Sequence, residues 1–300
     1  MLKIAYNDHY VQSLPEGHRF PMEKYDLLPK QLLHEGTVDK AAFFNPEMID
    51  PKYVLAVHDE NYFQDLKGLR LDKRAQRVSG FPHDQSLIDR EQFIMEGTRK
   101  CADYALEFGA AMNIAGGTHH AFTNRGEGFC LLNDQAIAAQ YLLDHRSIQK
   151  ILIVDLDVHQ GNGTAEIFKD ESRVFTFSMH GENNYPLHKE HSDLDIPLKD
   201  GINDKEYLYL LEKHLNEILT KFKPEFIFFQ SGVDVINTDK LGRLGISMRG
   251  CRQRDEIVFR ITRELKVPIV VSMGGGYSPE IKNIIEAHAN TFRAAQYILF

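Results

Sequence analysis

Short apolar segments alternate with longer amphipathic segments along this 300-residue chain. The apolar segments are rich in β-branched and aromatic residues and have the length of buried strands. They comprise Leu2 to Tyr6, Met112 to Ala115, Ile151 to Val154, Val174 to Ser178, Phe226 to Gln230 and Ile269 to Met273. Continuous apolar runs of this kind indicate parallel strands, which are covered on both faces.

The longer segments repeat apolar residues every three to four positions, which predicts helices. These helices are expected at about Met22 to Glu35, Ile88 to Phe108, Asn133 to Asp144, Thr164 to Phe168, Asp204 to Phe222, Asp255 to Leu265 and Glu280 to Phe292. Between Arg70 and Asp84 the periodicity is weak and two helix breakers occur, so this segment is predicted to be a surface loop.

Strand and helix alternate without a linker or a shift in composition, which predicts a single domain over residues 1–300. Its expected fold class is a three-layer α/β/α arrangement with a mainly parallel sheet.

Polar side chains follow four of the predicted strands. They are His119 and His120, then Asp155, Asp157 and His159, then Asp234, and finally Tyr277. In an open parallel sheet the ligand site lies beyond the carboxyl ends of the strands. We therefore expect these residues to converge on one site.

The most informative stretch is the one that follows the strand at Ile151. Asp155, Asp157 and His159 have the period of two that sends side chains to one side of an extended chain. On a straight strand they would be roughly 7 Å apart, so the chain must bend before two of them can bind one ion, and Gly161 and Gly163 are predicted to supply that bend. Burying these groups unpaired would cost several kcal/mol each, which favours a bound cation.

The composition narrows the possible functions. The net charge of −8 argues against a nucleic-acid partner, and the basic stretch from Lys67 to Arg77 is interpreted as a solvated face. No apolar run has the length of a membrane span, and the first residues lack the features of a signal peptide. Cys101, Cys130 and Cys251 stand singly, which indicates neither a disulfide framework nor a thiolate metal site. We expect a cytoplasmic protein without a membrane partner.

Asp157, His159 and Asp234, called the metal triad below, offer mixed oxygen and nitrogen ligands. Three protein ligands leave room for water and substrate, as in catalytic zinc sites. The same ligands would accept Fe²⁺, Co²⁺ or Mn²⁺. Such an ion acidifies a bound water molecule and polarises a carbonyl, which favours hydrolysis of an amide or ester.

The remaining polar residues fit the other tasks of such a reaction. His119 and His120, called the histidine pair, suit proton transfer, and Asp155 could orient one of them. Tyr277 could donate a hydrogen bond to a developing oxyanion. Each pattern alone has a simpler explanation: a histidine pair is often only packing, and Gly274 to Gly276 could be a tight turn or a phosphate-binding loop. Their joint occurrence at four strand ends is far more specific.

Six motifs extend this pattern over most of the chain. They are His58-Asp59-Glu60-Asn61-Tyr62, Gly116-Gly117-Thr118-His119-His120-Ala121, Gly128-Phe129-Cys130-Leu131-Leu132-Asn133-Asp134, Asp155-Leu156-Asp157-Val158-His159-Gln160-Gly161-Asn162-Gly163, Ser231-Gly232-Val233-Asp234 and Gly274-Gly275-Gly276-Tyr277. With these motifs the chain resembles the zinc-dependent histone deacetylase-like deacylases of the arginase/deacetylase fold. Within that group it is most similar to the class IV branch.

The resemblance implies that zinc is bound by the metal triad, that the histidine pair transfers protons and that Tyr277 donates to the oxyanion. It implies that Asp155 is the partner of the first histidine. Gly128 and Phe129 match the wall of a narrow tunnel for an acyl-lysine side chain, and Gly275 is expected to contact the substrate.

The resemblance also implies a structural monovalent cation, K⁺. Its expected surroundings are Asp155, Asp157, His159, Ser178 and Met179, partly through main-chain carbonyl groups.

One position departs from much of the family. The partner of the second histidine is often an aspartate there, whereas this chain has Asn162, as is also typical of the class IV branch. A neutral amide can orient the ring but cannot stabilise an imidazolium as a carboxylate would. We therefore predict that His120 is neutral at the working pH.

The expected substrate is an acylated lysine of a protein or peptide, with acetyl or longer chains left open. A small acylated amine such as an acetylpolyamine is the nearest alternative, because the same catalytic set would serve it. A two-manganese ureohydrolase is disfavoured because the residues after Asp234 supply no further carboxylate at the next two-residue step. A non-catalytic metal-dependent sensor is disfavoured by the intact Tyr277 and histidine pair.

Overall fold

Eight strands form one sheet in which every pair of neighbours is parallel. The computed structural model describes residues 1–300. The strands are β1 (Lys3–Ala5), β2 (Phe43–Phe44), β3 (Ala110–Asn113), β4 (Ile151–Asp155), β5 (Val174–Gly181), β6 (Leu194–Leu198), β7 (Phe226–Gln230) and β8 (Ile269–Ser272). Their order across the sheet is β2-β1-β3-β8-β7-β4-β5-β6.

Helices connect most of the strands. They are α1 (Lys24–His34), α2 (Pro51–Leu55), α3 (Glu60–Lys67), α4 (Lys73–Ser79), α5 (Gln85–Phe108), α6 (Asp134–His145), α7 (Asn162–Phe168), α8 (Asp204–Phe222), α9 (Met248–Leu265) and α10 (Ile281–Leu299), with short 3₁₀ turns at Asp8–Tyr10 and Lys40–Ala42. None of them combines the length and apolar composition that crossing a bilayer would require.

Side chains of the strands contribute to two separate apolar cores, one on each face of the sheet. In β4, Leu152 and Val154 belong to the larger core, which also contains residues of α1, α8, α9 and α10. Ile151 and Ile153 belong to the smaller core, together with α6 and the second half of α5. This alternation follows from the period of two in a strand, and it confirms the predicted three-layer α/β/α fold with its parallel sheet.

The prediction of a loop from Arg70 to Asp84 was wrong in its middle, where α4 lies. The carboxylate of Asp72 accepts a hydrogen bond from the amide of Ala75 at the start of this helix, and Gly80 ends it with a φ of +82°. Gly80 is therefore a helix cap and not a breaker within the segment. Few residues of α4 are buried, so an apolar periodicity could not reveal it.

The start of α9 also differs from the prediction. The helix begins at Met248 and not at Asp255, because the Ser247 hydroxyl accepts a hydrogen bond from the Gly250 amide and nucleates two earlier turns. These turns contain three arginines and one glycine, which interrupt the apolar periodicity.

Candidate active site

The four polar clusters converge because the strands that precede them are neighbours. In the middle of the sheet β3, β8, β7 and β4 lie side by side. The histidine pair follows β3, Tyr277 follows β8, Asp234 follows β7, and Asp155 ends β4. All strands are parallel, so these loops leave the sheet at the same edge.

The chain bends directly after β4 through hydrogen bonds of its own aspartates. Asp155 Oδ1 accepts from the Asp157 amide at 3.1 Å, and Asp157 Oδ1 accepts from the His159 amide at 3.0 Å. Such turns are typical of aspartate. The prediction that glycines supply the bend was wrong, since Gly161 and Gly163 follow it. They provide space: a Cβ at Gly161 would collide with the Asp155 carboxylate, and one at Gly163 with the backbone of the loop after β3.

The metal triad is assembled at this bend. One ligand atom from each of its three residues lies within 4.8 Å of the others, and all three residues are buried. His159 Nδ1 lies 3.0 Å from Asp157 Oδ1 and 3.1 Å from Asp234 Oδ2. The hydrogen bond of this nitrogen goes to Asp157, and Asp234 Oδ2 accepts none although it is buried. A cation would satisfy this oxygen, and two carboxylates with one imidazole are a donor set for a catalytic divalent ion.

Backbone groups hold the two carboxylates of the triad in place. The Gly275 amide donates to Asp157 Oδ2 at 2.9 Å, and the Val158 amide donates to Asp234 Oδ1 at 3.0 Å. A Cβ at Gly275 would collide with both carboxylates. Gly275, which was expected to contact the substrate, therefore lies beside the metal triad and also lines the pocket described below.

The electrostatics of the triad favour a positive charge. Burial lowers the pKa of His159, but the adjacent carboxylates of Asp157 and Asp234 together outweigh burial and bring this pKa to about 10. Burial and the neighbouring charge of Asp157 raise the pKa of Asp234 to about 7. A proton is thus retained at the place where a metal ion would bind.

The histidine pair has two different partners. His119 Nδ1 lies 2.6 Å from Asp155 Oδ2, and His120 Nδ1 lies 2.6 Å from Asn162 Oδ1. Burial opposes the charged form of His119, but Asp155 and Asp157 outweigh it and raise its pKa. Burial and the charges of His119 and His159 lower the pKa of His120 well below its usual value. The two adjacent rings therefore differ in proton affinity, in the direction that the prediction for His120 requires.

Tyr277 and Phe129 face each other at the same site. Their ring centroids are 5.8 Å apart, and the Tyr277 ring is 6.5 Å from that of His159. Phe129 has a left-handed φ of +68°, which is costly for a bulky residue and is held by the hydrogen bond of its amide to Ser79 O at 2.7 Å. Burial and the carboxylates of Asp234 and Asp157 raise the pKa of Tyr277, so its hydroxyl keeps the proton that it would donate.

Comparison with known proteins identifies the family. Residues 18–292 match the sequence model described as the histone deacetylase domain. The chain belongs to the histone deacetylase family.

Relatives of this family member cover most of both chains. A protein described as uncharacterised from Picosynechococcus sp. is 41% identical over 98% of each chain. Histone deacetylase 2 of Arabidopsis thaliana is 30% identical over 95% of this chain and 76% of its own. An HDAC homologue solved in complex with SAHA shares 26% identity with a TM-score of 0.83, covering 99% of this chain and 83% of that one. A homologue from Aquifex aeolicus also has 26% identity and a TM-score of 0.83, over 97% and 82% of the two chains. Membership of the class IV branch stays a prediction.

The pocket of this deacetylase-family chain has two parts that meet at the candidate catalytic residues. An inner chamber of about 30 Å³ and an outer pocket of about 320 Å³ share five lining residues, which are His120, Gly128, Phe129, His159 and Tyr277. The inner chamber alone is lined by Phe20, Tyr25, Arg90, Ile94, Thr118 and Cys130, among others. Gly128 and Phe129 thus lie where the two parts meet, called the constriction below, and their role as a tunnel wall stays a prediction.

Tyr185 is a site residue that the sequence did not indicate. It lines the outer pocket, with its ring perpendicular to that of His120 at 5.0 Å and its hydroxyl donating to Glu127 at 2.6 Å. It precedes a cis proline in the loop between β5 and β6. The Tyr-Pro pair was the only signal, and it points to a turn more than to a site.

Lys24 is a second missed residue. Its side chain is fully buried at the start of α1 and donates to the carbonyl of Gly274 at 3.1 Å, in the loop that carries Tyr277. Burial lowers the pKa of this ammonium group to about 8, although Asp234 and Asp157 oppose the shift. A single lysine in an amphipathic segment reads as a surface residue, so sequence could not have revealed it.

The residues expected around K⁺ are divided between two places. Asp155 and Ser178 line a small cavity beside β4 and β5, whereas Asp157 and His159 belong to the metal triad. Met179 follows Ser178 within β5 and is buried. The monovalent cation site stays a prediction.

Proposed function

We propose that this family member is a metal-dependent amidohydrolase that removes acyl groups from the Nε amide of lysine in a protein or peptide. One observation carries the proposal. The metal triad, two histidines of different proton affinity and Tyr277 meet at the constriction between an open outer pocket and a small inner chamber. The relative named histone deacetylase and the homologue complexed with SAHA support a lysine-like substrate.

The donor set suits zinc first, and Fe²⁺, Co²⁺ or Mn²⁺ next. Such an ion in the metal triad would polarise the amide carbonyl and lower the pKa of a water molecule. His120 is neutral and would accept the proton of that water. His119, whose Nδ1 is held by Asp155, keeps a proton near the leaving amine.

Tyr277 acts on the carbonyl oxygen as it gains negative charge. Its hydroxyl would donate a hydrogen bond from the side opposite the metal triad. Asn162 would orient His120, and Gly128 and Phe129 would hold the methylene chain of the lysine at the constriction. The deep burial of these groups excludes bulk water and strengthens each electrostatic interaction.

Hydrolysis of a fluorogenic acetyl-lysine peptide by zinc-loaded protein tests this proposal. We expect Tyr277→Phe to lower kcat by about 10²- to 10³-fold, as for loss of one oxyanion donor, with unchanged zinc content. The matched control is Tyr297→Phe, because Tyr297 is 85% exposed at the end of α10. An inactive zinc-loaded protein, or a Tyr277→Phe variant with full activity, would contradict the proposal.

A further inference from the structure

The outer pocket has an unusual charge for an acidic protein. Its lining contains two arginines, Arg19 and Arg243, and no carboxylate. The Arg19 guanidinium lies 5.0 Å from the centroid of the Phe129 ring and forms no salt bridge. Arg243 pairs with Asp200 at 3.6 Å, but both side chains are exposed. Such a pair contributes little and leaves the arginine available.

The helix α4 adds further positive charge next to this pocket. Its last turn is joined to the tunnel wall, since Gly128 N donates to Val78 O at 3.1 Å. Val78 also lines the outer pocket. The exposed side chains of this helix that carry charge are Lys73, Arg74 and Arg77, none of which forms a salt bridge. Arg74 and Arg77 lie within one helical turn of Val78, so the end of the stretch interpreted as a solvated face lies next to the outer pocket. Lys73 and Arg77 line a separate surface depression beside Gly80 and Phe81.

Nearby carboxylates do not cancel these charges. Glu127 is already engaged by Arg125 and by the hydroxyl of Tyr185. Asp72 accepts from the backbone at the far end of α4. The overall charge of −8 is spread over the whole surface, and at physiological salt charges beyond about 8 Å are largely screened. Among the residues that line the outer pocket, a ligand therefore meets arginines and no carboxylate.

Apolar side chains are exposed at the same entrance. Leu187 is 86% exposed and Val78 is 45% exposed, and both line the outer pocket. Apolar and positive groups side by side suit a peptide segment more than a small polar amine.

We propose that the basic rim, defined as Arg19, Arg74, Arg77 and Arg243, selects acyl-lysine segments that carry acidic side chains next to the lysine. This inference rests on the proposed lysine deacylase function. It also disfavours acylated polyamines, because their remaining ammonium groups would be repelled at the entrance.

Three acetyl-lysine peptides test the inference with zinc-loaded protein. They differ only in the two residues that flank the lysine, which are both Asp, both Ser or both Lys. N-acetylputrescine serves as the small acylated amine. We expect kcat/KM to fall in the order Asp, Ser, Lys, by about 2- to 5-fold per charge, mainly through KM. N-acetylputrescine should be the poorest substrate. The differences should shrink in 0.5 M salt, where screening is stronger.

Charge reversal identifies the groups responsible. Arg19→Glu, and the double variant Arg74→Glu with Arg77→Glu, should lower the Asp-to-Lys ratio of kcat/KM at least 5-fold. The matched control for Arg19→Glu is Arg263→Glu, which changes the net charge by the same amount but lies near the end of α9, just before the amino end of β8. The control should keep the ratio of the unmodified protein.

The outcomes separate this inference from the proposed function. Equal kcat/KM for the three peptides, or a ratio unchanged in both rim variants, overturns the basic rim and leaves the deacylase function standing. Failure to hydrolyse any peptide overturns the deacylase function. In that case the binding of the labelled peptides to the zinc-loaded protein decides about the rim: tighter binding of the Asp peptide supports it, and equal binding overturns it.

Discussion

At the scale of single residues, the partner of His120 is a neutral amide, that of Asn162. Its amide oxygen orients His120 without adding negative charge. In Asn162→Asp a carboxylate would contact the same nitrogen, and an opposite charge at that distance raises a pKa by about 1 to 3 units. With His120 as the proposed base, protonation of its ring would abolish activity, so the acid limb of the pH profile of kcat/KM should move to higher pH.

The control for this prediction is Asn183→Asp, which adds the same charge to the outer pocket without contacting His120. Both variants are measured with a neutral acetyl-lysine peptide. An acid limb that stays in place in Asn162→Asp would show that His120 is not the group that must be neutral.

His58 makes the stability of the fold depend on pH. Its Nδ1 lies 2.9 Å from Phe122 O, and its Nε2 accepts from the Asn133 amide at 3.0 Å, so the buried ring is neutral. Burial lowers its pKa from 6.5 to about 4. Between these values the unfolded chain binds a proton that the folded chain does not. The stabilisation is therefore complete above pH 6.5 and is lost as the pH falls towards 4.

We expect the free energy of unfolding to fall by about 2 kcal/mol between pH 7.5 and 5 through this residue. His58→Gln should be less stable at pH 7.5 but should lose that part of the pH dependence, as measured by urea unfolding at both pH values. In the control His34→Gln, at an exposed position of α1, the pH dependence should remain. If the free energy of unfolding depended on pH equally in the unmodified protein and in His58→Gln, the pH dependence could not be attributed to His58.

At the scale of elements, the loop after β8 must approach the metal triad closely. Gly275 is the contact point, because its amide binds Asp157 and a side chain there would collide with two carboxylates. Gly275→Ala should therefore lower the zinc content after equilibration and dialysis, while circular dichroism shows a folded protein. In the control Gly36→Ala the new Cβ meets no atom within 4 Å, and only the φ of +73° is strained. That variant should lose some stability and keep its zinc.

The central elements were predictable because burial and periodicity agree in them. The helix at Asp204–Phe222 and the strand at Phe226–Gln230 were predicted with the bounds that the structure shows. The strand at Leu194–Leu198 was missed because it lies at the edge of the sheet, is only half-buried and contains Pro197. The strand at Phe43–Phe44 has two residues, too few for any period.

The candidate site was predictable where short motifs carry its chemistry. The metal triad and the histidine pair follow strands directly, so sequence order alone places them together. Lys24 and Tyr185 were missed because their roles arise from packing between distant segments. Lys24 contacts Gly274 across 250 positions, and no local pattern encodes such a contact.

At the scale of the whole molecule, the inner chamber exists because helices of one layer close the sheet edge behind the candidate catalytic residues. Tyr25 of α1 and both Arg90 and Ile94 of α5 line its wall. Its volume of about 30 Å³ exceeds only modestly the 10–15 Å³ that holds one water molecule. A short acyl group would fit there, whereas a long chain would displace buried side chains. We therefore expect kcat/KM to fall from acetyl through butyryl to octanoyl-lysine peptides.

Enlarging the chamber should shift this preference. Ile94→Ala removes the three side-chain carbons beyond Cβ from the wall, so butyryl-lysine should gain on acetyl-lysine in kcat/KM. Ile88→Ala is the matched control: Ile88 is equally buried on α5 but does not line the chamber. Both substitutions should cost about 2–5 kcal/mol of stability, so a change of preference in Ile94→Ala alone reports the chamber and not a weakened fold. If octanoyl-lysine were the best substrate of the unmodified protein, the acyl chain would have to leave the catalytic residues by another path than this chamber.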